Sequence, residues 1–357
     1  MQFPLRGGIV GFGFIAERGH LPAYLGNPEH FAITAVADIC ESRRALARRL
    51  LPAARIYDDA RSLLAAEHGA LDFVDVATPP SEHASISHAA LDHGLHVICE
   101  KPIATTAADA AALLAHATAA RRVFFPSHNY RHAPVVKAVR GLLDTGCLGK
   151  IHLVTLQTFR PTHAKGVADW KPDWRRAKHY SGGGIAMDHA SHSFYLAFDW
   201  LGSYPTAVTA HVEHRAGLDT EDGFSCTATF PTGTAIANLT WNAGVRKVIY
   251  TLHGEHGAIT VEDDDIQLAL RTTGTVERIT AASDWMDASH VRWFTTLQAE
   301  LIDAIRNEEF VGRQAIDAMR SVELIQMAYV SAHAGSRVVA MPAHAQVPWL
   351  ARSMAAG

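Results

Sequence analysis

Gly8-Ile9-Val10-Gly11-Phe12-Gly13-Phe14-Ile15-Ala16 is the stretch on which the fold turns. A β-branched apolar run ends in G-x-G-x-x-A and passes into helical composition from about residue 14. In such a unit the first glycine permits a tight turn and the second lets backbone approach a pyrophosphate. The small Ala16 allows helix to pack on strand, and the free N–H groups of the helix start face the phosphates. Asp38 closes the next apolar run, 22 residues past Ala16. An acid there accepts hydrogen bonds from ribose hydroxyls and repels a 2′-phosphate, which favours NAD. Arg43 and Arg44 just downstream leave NADP open as a second cofactor.

Outward from that loop, short apolar runs at 32–37, 55–57, 73–77, 96–99 and 123–125 alternate with helical patterns at 42–51, 59–67, 82–93 and 106–120. This alternation predicts an α/β, doubly wound parallel sheet, a dinucleotide-binding Rossmann domain over residues 1–128. The pattern then changes. A helix over 133–145, a long alternating strand at 151–159 and a polar loop at 160–181 precede a helix over 185–201. Strand-like runs follow at 207–213, 224–230, 234–241, 247–253, 258–262, 266–271 and 276–280, then amphipathic helices at 288–306 and 313–333. Successive strands joined by tight turns predict a C-terminal α+β domain on a large, mostly antiparallel sheet. Residues 129–357 are thus expected to bind substrate and to mediate oligomerisation. Helices can cover one face of that sheet and a second subunit the other, so a homodimer or homotetramer is expected.

Composition narrows the function classes. The chain has 357 residues, 48% hydrophobic and 19% charged, enough for about two packed domains. A net charge of −4 offers no field for nucleic acid. Cys40, Cys99, Cys147 and Cys226 lie far apart, as buried thiols in a reducing compartment would. No run of 18 apolar residues occurs, so no membrane span is expected and a cytoplasmic location is. With 22 histidines, the pair His189 and His192 is no argument for a metal, and none is assigned.

Four further segments carry chemistry: Ala77-Thr78-Pro79-Pro80-Ser81-Glu82-His83, Gly94-Leu95-His96-Val97-Ile98-Cys99-Glu100-Lys101-Pro102, Asn129-Tyr130-Arg131, and Gly182-Gly183-Gly184-Ile185-Ala186-Met187-Asp188-His189-Ala190-Ser191-His192. Lys101 ends the fifth strand, at the carboxyl edge where such sheets bind ligands, and its ammonium can stabilise a developing alkoxide. Asp188 and His192 are spaced i, i+4, so one helical face would present a carboxylate beside an imidazole suited to proton transfer. In this order the segments resemble the glucose–fructose oxidoreductase / inositol dehydrogenase (Gfo/Idh/MocA) family over nearly the whole chain, through Tyr329-Val330-Ser331-Ala332.

The resemblance implies a catalytic set of Lys101, His192 as general acid/base, and Asp188 as its orienting or substrate-binding partner, with a Lys101–Pro102 bond that is often cis. It implies cofactor contacts from Gly11, Gly13, Phe14, Ile15, Asp38, Thr78, Pro79, His83 and Glu100, and a substrate contact from Arg131. Three positions depart from the family pattern: Pro80, His189 and Tyr195. The loop at 160–179 holds six basic residues and two acidic ones, and Trp174 and Arg175 in it are expected to contact substrate. An anionic sugar is one candidate for that substrate.

The leading expectation is hydride transfer between NAD(P) and a secondary hydroxyl or ketone of a sugar, cyclitol or sugar acid. Two others are weighed against it: a redox-neutral NAD-dependent glycosidase or eliminase of the same fold, and a non-catalytic NAD-binding regulator.

Overall fold

The computed structural model describes residues 3–343 apart from 216 and 283. Six strands, β1 (Leu5–Val10), β2 (Phe31–Ala37), β3 (Arg55–Tyr57), β4 (Phe73–Val76), β5 (His96–Cys99) and β6 (Phe124–Pro126), form one sheet. Its order is β3-β2-β1-β4-β5-β6 and every pairing is parallel. Both faces are covered, so β4 is buried at all four positions, Asp75 included, and β5 at three of four, without alternation. The order reverses between β1 and β4, which opens a crevice at their carboxyl ends. Gly11, Thr78 and Lys101 stand at that edge, just past β1, β4 and β5.

Nine further strands make the second sheet: β7 (Ile151–Phe159), β8 (Ala207–Glu213), β9 (Gly223–Thr229), β10 (Thr234–Thr240), β11 (Lys247–Gly254), β12 (Gly257–Glu262), β13 (Asp265–Leu270), β14 (Val276–Thr280) and β15 (Val339–Ala340). Their order is β14-β13-β12-β11-β7-β10-β9-β8-β15, antiparallel except where β10 runs parallel to β7. The helix Ser191–Leu201, buried along nearly its whole length, fills the covered face with Phe194, Phe198 and Trp200. The short strand β15 was not legible in the sequence.

The first helix differs from expectation. The chain makes a π-helical turn over Ala16–His20 before an α-helix at Leu21–Leu25. A second π-helical turn, Ala186–Ala190, opens the helix that carries Asp188 and His192. The closing helices, Val291–Arg306 and Arg313–His333, also go where the sequence did not say. Leu297, Leu301 and Ile302 join the core on one face of the first sheet, and Ala315, Met319 and Val322 join the core on its other face. A break at residue 128 therefore separates the sheets but not their cores.

Candidate active site

Between the two sheets lies a cleft of about 850 Å³, within the range of small-molecule sites. Its nucleotide end is built by the glycine loop. Gly11 has φ +88°, and a Cβ there would stand 2.7 Å from the carbonyl carbon of Ala77. Gly13 has open space where a Cβ would be, a bare backbone edge on the cleft. Asp38 is fixed by two backbone donors, Phe12 N–H at 2.6 Å and Cys40 N–H at 2.7 Å, and lines the cleft. The two arginines that kept NADP open are already engaged. Arg43 donates to Phe12 O and to Glu17, and Arg44 binds Glu41 and the carbonyl of Asp38. A bare loop and a fixed carboxylate with no unengaged arginine beside it fit NAD.

Phe14, Ile15, Thr78, Pro79 and Glu100 all line the cleft. His83 lines it too, but it is 1% exposed and its ring spans Thr78 O and Pro102 O, each at 2.7 Å. Burial lowers its pKa, so the ring is neutral and its single N–H donates to one of these two carbonyls, packed between the Thr-Pro turn and the cis Lys101–Pro102 peptide. Glu100 is held from behind. His20 bridges Asp75 (2.7 Å) and Glu100 (3.0 Å). Burial alone would strip the proton from His20, but the two carboxylates raise its pKa to about 10.

At the other end, the first sheet meets the second-sheet helix. Lys101 Nζ donates to the backbone carbonyl of Asp188 at 2.6 Å and lies 3.4 Å from its Oδ1. Arg175 Nε reaches the same Oδ1 at 3.3 Å. Burial opposes ionisation of Asp188, yet these two cations hold its carboxyl well below the usual range. His192 is 5% exposed, stacks on Tyr130 with centroids 3.8 Å apart, and bonds Tyr195 Oη through Nδ1 at 2.7 Å. Burial pushes its pKa well below 6.5, with Lys101 and His189 adding to the effect, so it rests neutral.

Two expectations change. The i, i+4 spacing assumed an α-helix, but the π-helical turn covers Asp188, whose carboxylate faces Lys101 and Arg175. His192 is oriented by Tyr195 instead, the residue that departs from the family pattern. Arg131 does not reach the cleft: it is paired with Asp317, whose side chain is fully buried, and its guanidinium lies over the Tyr195 ring at 5.3 Å. A buried acid on the closing helix has claimed the charge meant for substrate.

The second-domain turn has a steric cause. At Gly184 a Cβ would fall 1.9 Å from Glu221 O. The Glu221 carboxylate accepts N–H groups from Gly184 (2.8 Å) and Ala186 (2.9 Å), capping the helix start, and receives the Tyr329 hydroxyl at 2.8 Å. Trp174 and Arg175 do line the cleft, with the guanidinium 4.2 Å from the Trp174 ring. Three of the loop's six cations meet carboxylates, Lys165 on Asp173 within the loop, Arg176 on Asp222 and Arg175 on Asp188 outside it. Sequence reasoning counted Arg160 only as one of the loop's six basic residues and missed Arg246, His290 and Glu221; of these three only Glu221, an acid beside a strand start, left any trace, and that trace is common. Among the described residues no three His, Cys, Asp or Glu side chains form a metal-ligand group, and no helix is long and apolar enough to cross a membrane.

Residues 5–128 match an oxidoreductase family with an NAD-binding Rossmann fold, and residues 136–260 match the GFO/IDH/MocA C-terminal domain. The chain is 25% identical to D-apiose dehydrogenase of Paraburkholderia graminis, covering 96% of this chain and 92% of that one. It is 30% identical to D-glucoside 3-dehydrogenase of Escherichia coli over 62% of this chain and 61% of the relative. In fold it matches the structure of a levoglucosan dehydrogenase in complex with NADH, with a TM-score of 0.83 at 22% identity, covering 95% of this chain and 100% of that one.

Proposed function

The chain belongs to the Gfo/Idh/MocA oxidoreductase family, and from that footing we propose that it oxidises a secondary hydroxyl of a sugar, cyclitol or sugar acid with NAD. The observation that carries the reading is the meeting of Lys101 from the first domain with Asp188 and His192 from the second, on the wall of one cleft with the nucleotide loop. The relatives named above act on apiose, glucosides and levoglucosan, which supports a sugar as substrate.

Bound NAD supplies the hydride acceptor. Lys101 spends two donors on Asp188 and keeps one N–H for the substrate oxygen, where it stabilises alkoxide character. His192, neutral at rest, takes the hydroxyl proton on Nε2. Its Nδ1–H then donates to Tyr195 Oη, an oxygen already held by Tyr130 N–H at 3.2 Å. Asp188 lies close enough to offset the imidazolium charge and keeps the Lys101 ammonium in place. The loop across 160–181 closes the cleft against water through Trp174 and Arg175.

A screen of polyols, aldoses and sugar acids for NADH formation tests the reading, with Lys101→Met and His192→Ala as controls. Each substitution should cut kcat at least a hundredfold. Product formed with no net NADH, or full activity in either variant, rejects it. We also propose a homodimer or homotetramer formed across the second sheet's half-exposed face, around Thr155, Ile236 and Ile249; a monomer by light scattering at micromolar concentration rejects that.

A further inference from the structure

We infer that the sugar bound in this cleft carries a negative group, a carboxylate or a phosphate, received by Arg160 and Arg246. The inference rests on the dehydrogenase reading and names its substrate class. Arg160 directly follows β7 and Arg246 directly precedes β11, and the antiparallel register sets Phe159 opposite Lys247, so the two arginines emerge side by side on the cleft. Arg160 is 9% exposed, and its hydrogen bonds go to the backbone carbonyls of Phe159 (3.0 Å) and Lys247 (3.4 Å). Arg246 donates through Nη2 to Trp285 O at 3.1 Å, and its Nε is buried with no partner.

Neither guanidinium is paired with a carboxylate among the described residues. This sets them apart from the other inward arginines, since Arg43 has Glu17, Arg131 has Asp317 and Arg176 has Asp222. Asp263, the acid in the turn between β12 and β13 whose charge acts on Arg246, already holds Val248 N–H and pairs with Lys247. Glu100 on the nucleotide side is taken by His20. The substrate end therefore presents Lys101, Arg160, Arg175 and Arg246 against one carboxylate, Asp188, which Lys101 and Arg175 share.

The neighbouring imidazoles register this excess. His290 is pushed down to about 4, by burial first and then by Arg246, with Arg160 also contributing. His189 is pushed to about 3 by burial; Asp188 opposes, and Arg160, Lys101 and Arg175 add to the shift. A buried guanidinium and a half-buried one, neither with a carboxylate partner, are unfavourable unless an anion meets them. A planar fork of donors suits a carboxylate or phosphate oxygen pair. With the reacting carbon at Lys101 and His192, the anionic group sits toward the ends of β7 and β11.

The test is titration calorimetry on the NADH-saturated protein with matched ligands: D-glucose against D-glucuronate and D-glucose 6-phosphate, and D-sorbitol against D-gluconate. At least one charged sugar should bind on the order of a hundredfold tighter than its neutral counterpart. The carboxylate and phosphate arms then separate the two sources. In Arg160→Gln and Arg246→Gln that preference should shrink at least tenfold. Neutral ligands binding as tightly as all their charged counterparts would overturn the inference using the unsubstituted protein alone. A charged preference intact in both folded variants would overturn it as well. Failure of the parent reading looks different: a charged sugar would bind, yet no sugar tested would form NADH from NAD.

Discussion

Lowering the pH from 7.5 to 5.0 should destabilise this protein well before its carboxylates titrate. His96, His132, His189 and His290 are kept neutral chiefly by burial, with pKa values of about 4, 3, 3 and 4. In the unfolded chain each imidazole returns to near 6.5. Below that pH the unfolded state binds protons that the folded state refuses, so stability falls as pH drops. By linkage each such group costs about 2 kcal/mol between pH 7.5 and 5.0. His20 has the opposite sign: its pKa of about 10 gives stability that is complete below 6.5 and is lost as pH rises through 10. Over this window it returns about 1.4 kcal/mol. Even if only two of the four behave so, the net loss is about 3 kcal/mol, a large share of a typical ~5–15 kcal/mol. Urea unfolding followed by tryptophan fluorescence at pH 7.5, 6.5, 5.5 and 5.0 measures it. His132→Gln, at a position outside the cleft whose Nε2 has no partner, should flatten the slope by about one proton. A midpoint that stays level to pH 5.0, or starts to fall only below it, would refute the reasoning.

Tyr195→Phe removes the hydroxyl that orients His192 and should lower kcat by roughly tenfold to a hundredfold with KM within about twofold, shifting the pH–rate profile; an unaltered kcat counts against that role. Gly184→Ala forces a methyl against Glu221 O and should cost about 1–3 kcal/mol in urea unfolding together with activity. A stable and active Gly184→Ala protein would show that the glycine turn is not what sets the helix. Asp38→Ser removes the cleft carboxylate that we propose receives the ribose, so the preference for NAD over NADP in kcat/KM should fall at least tenfold. An unchanged ratio there places the selectivity in Arg43 and Arg44 instead.

What could be read from the sequence is what depends on local pattern. Strand positions in both sheets follow from apolar runs and turn residues, and the glycine loop, Asp38 and Lys101 fall at strand ends that those runs define. What could not be read depends on distant partners. Asp317 is more than 180 residues from Arg131, and nothing nearby in sequence says that it will take the guanidinium. The π-helical turn at Ala186–Ala190 starts where Glu221, 35 residues on, accepts the N–H groups of Gly184 and Ala186, and it undid the α-helical spacing argument for Asp188 and His192. Arg160 counted only as one basic residue of a loop, and Arg246 looked like an ordinary strand-flanking residue, until the register of β7 and β11 set them together.

The closing helices carry one more consequence. Leu297, Leu301 and Ile302 seal one face of the first sheet, and Met319 and Val322 seal the other, although all five come from the last fifth of the chain. A fragment ending near residue 128 would leave both patches bare to water, so the nucleotide-binding half is not a portable module and should aggregate when expressed alone. The intact chain should melt as a single cooperative unit, and a ligand gripping either end of the cleft would raise the melting point of the whole molecule.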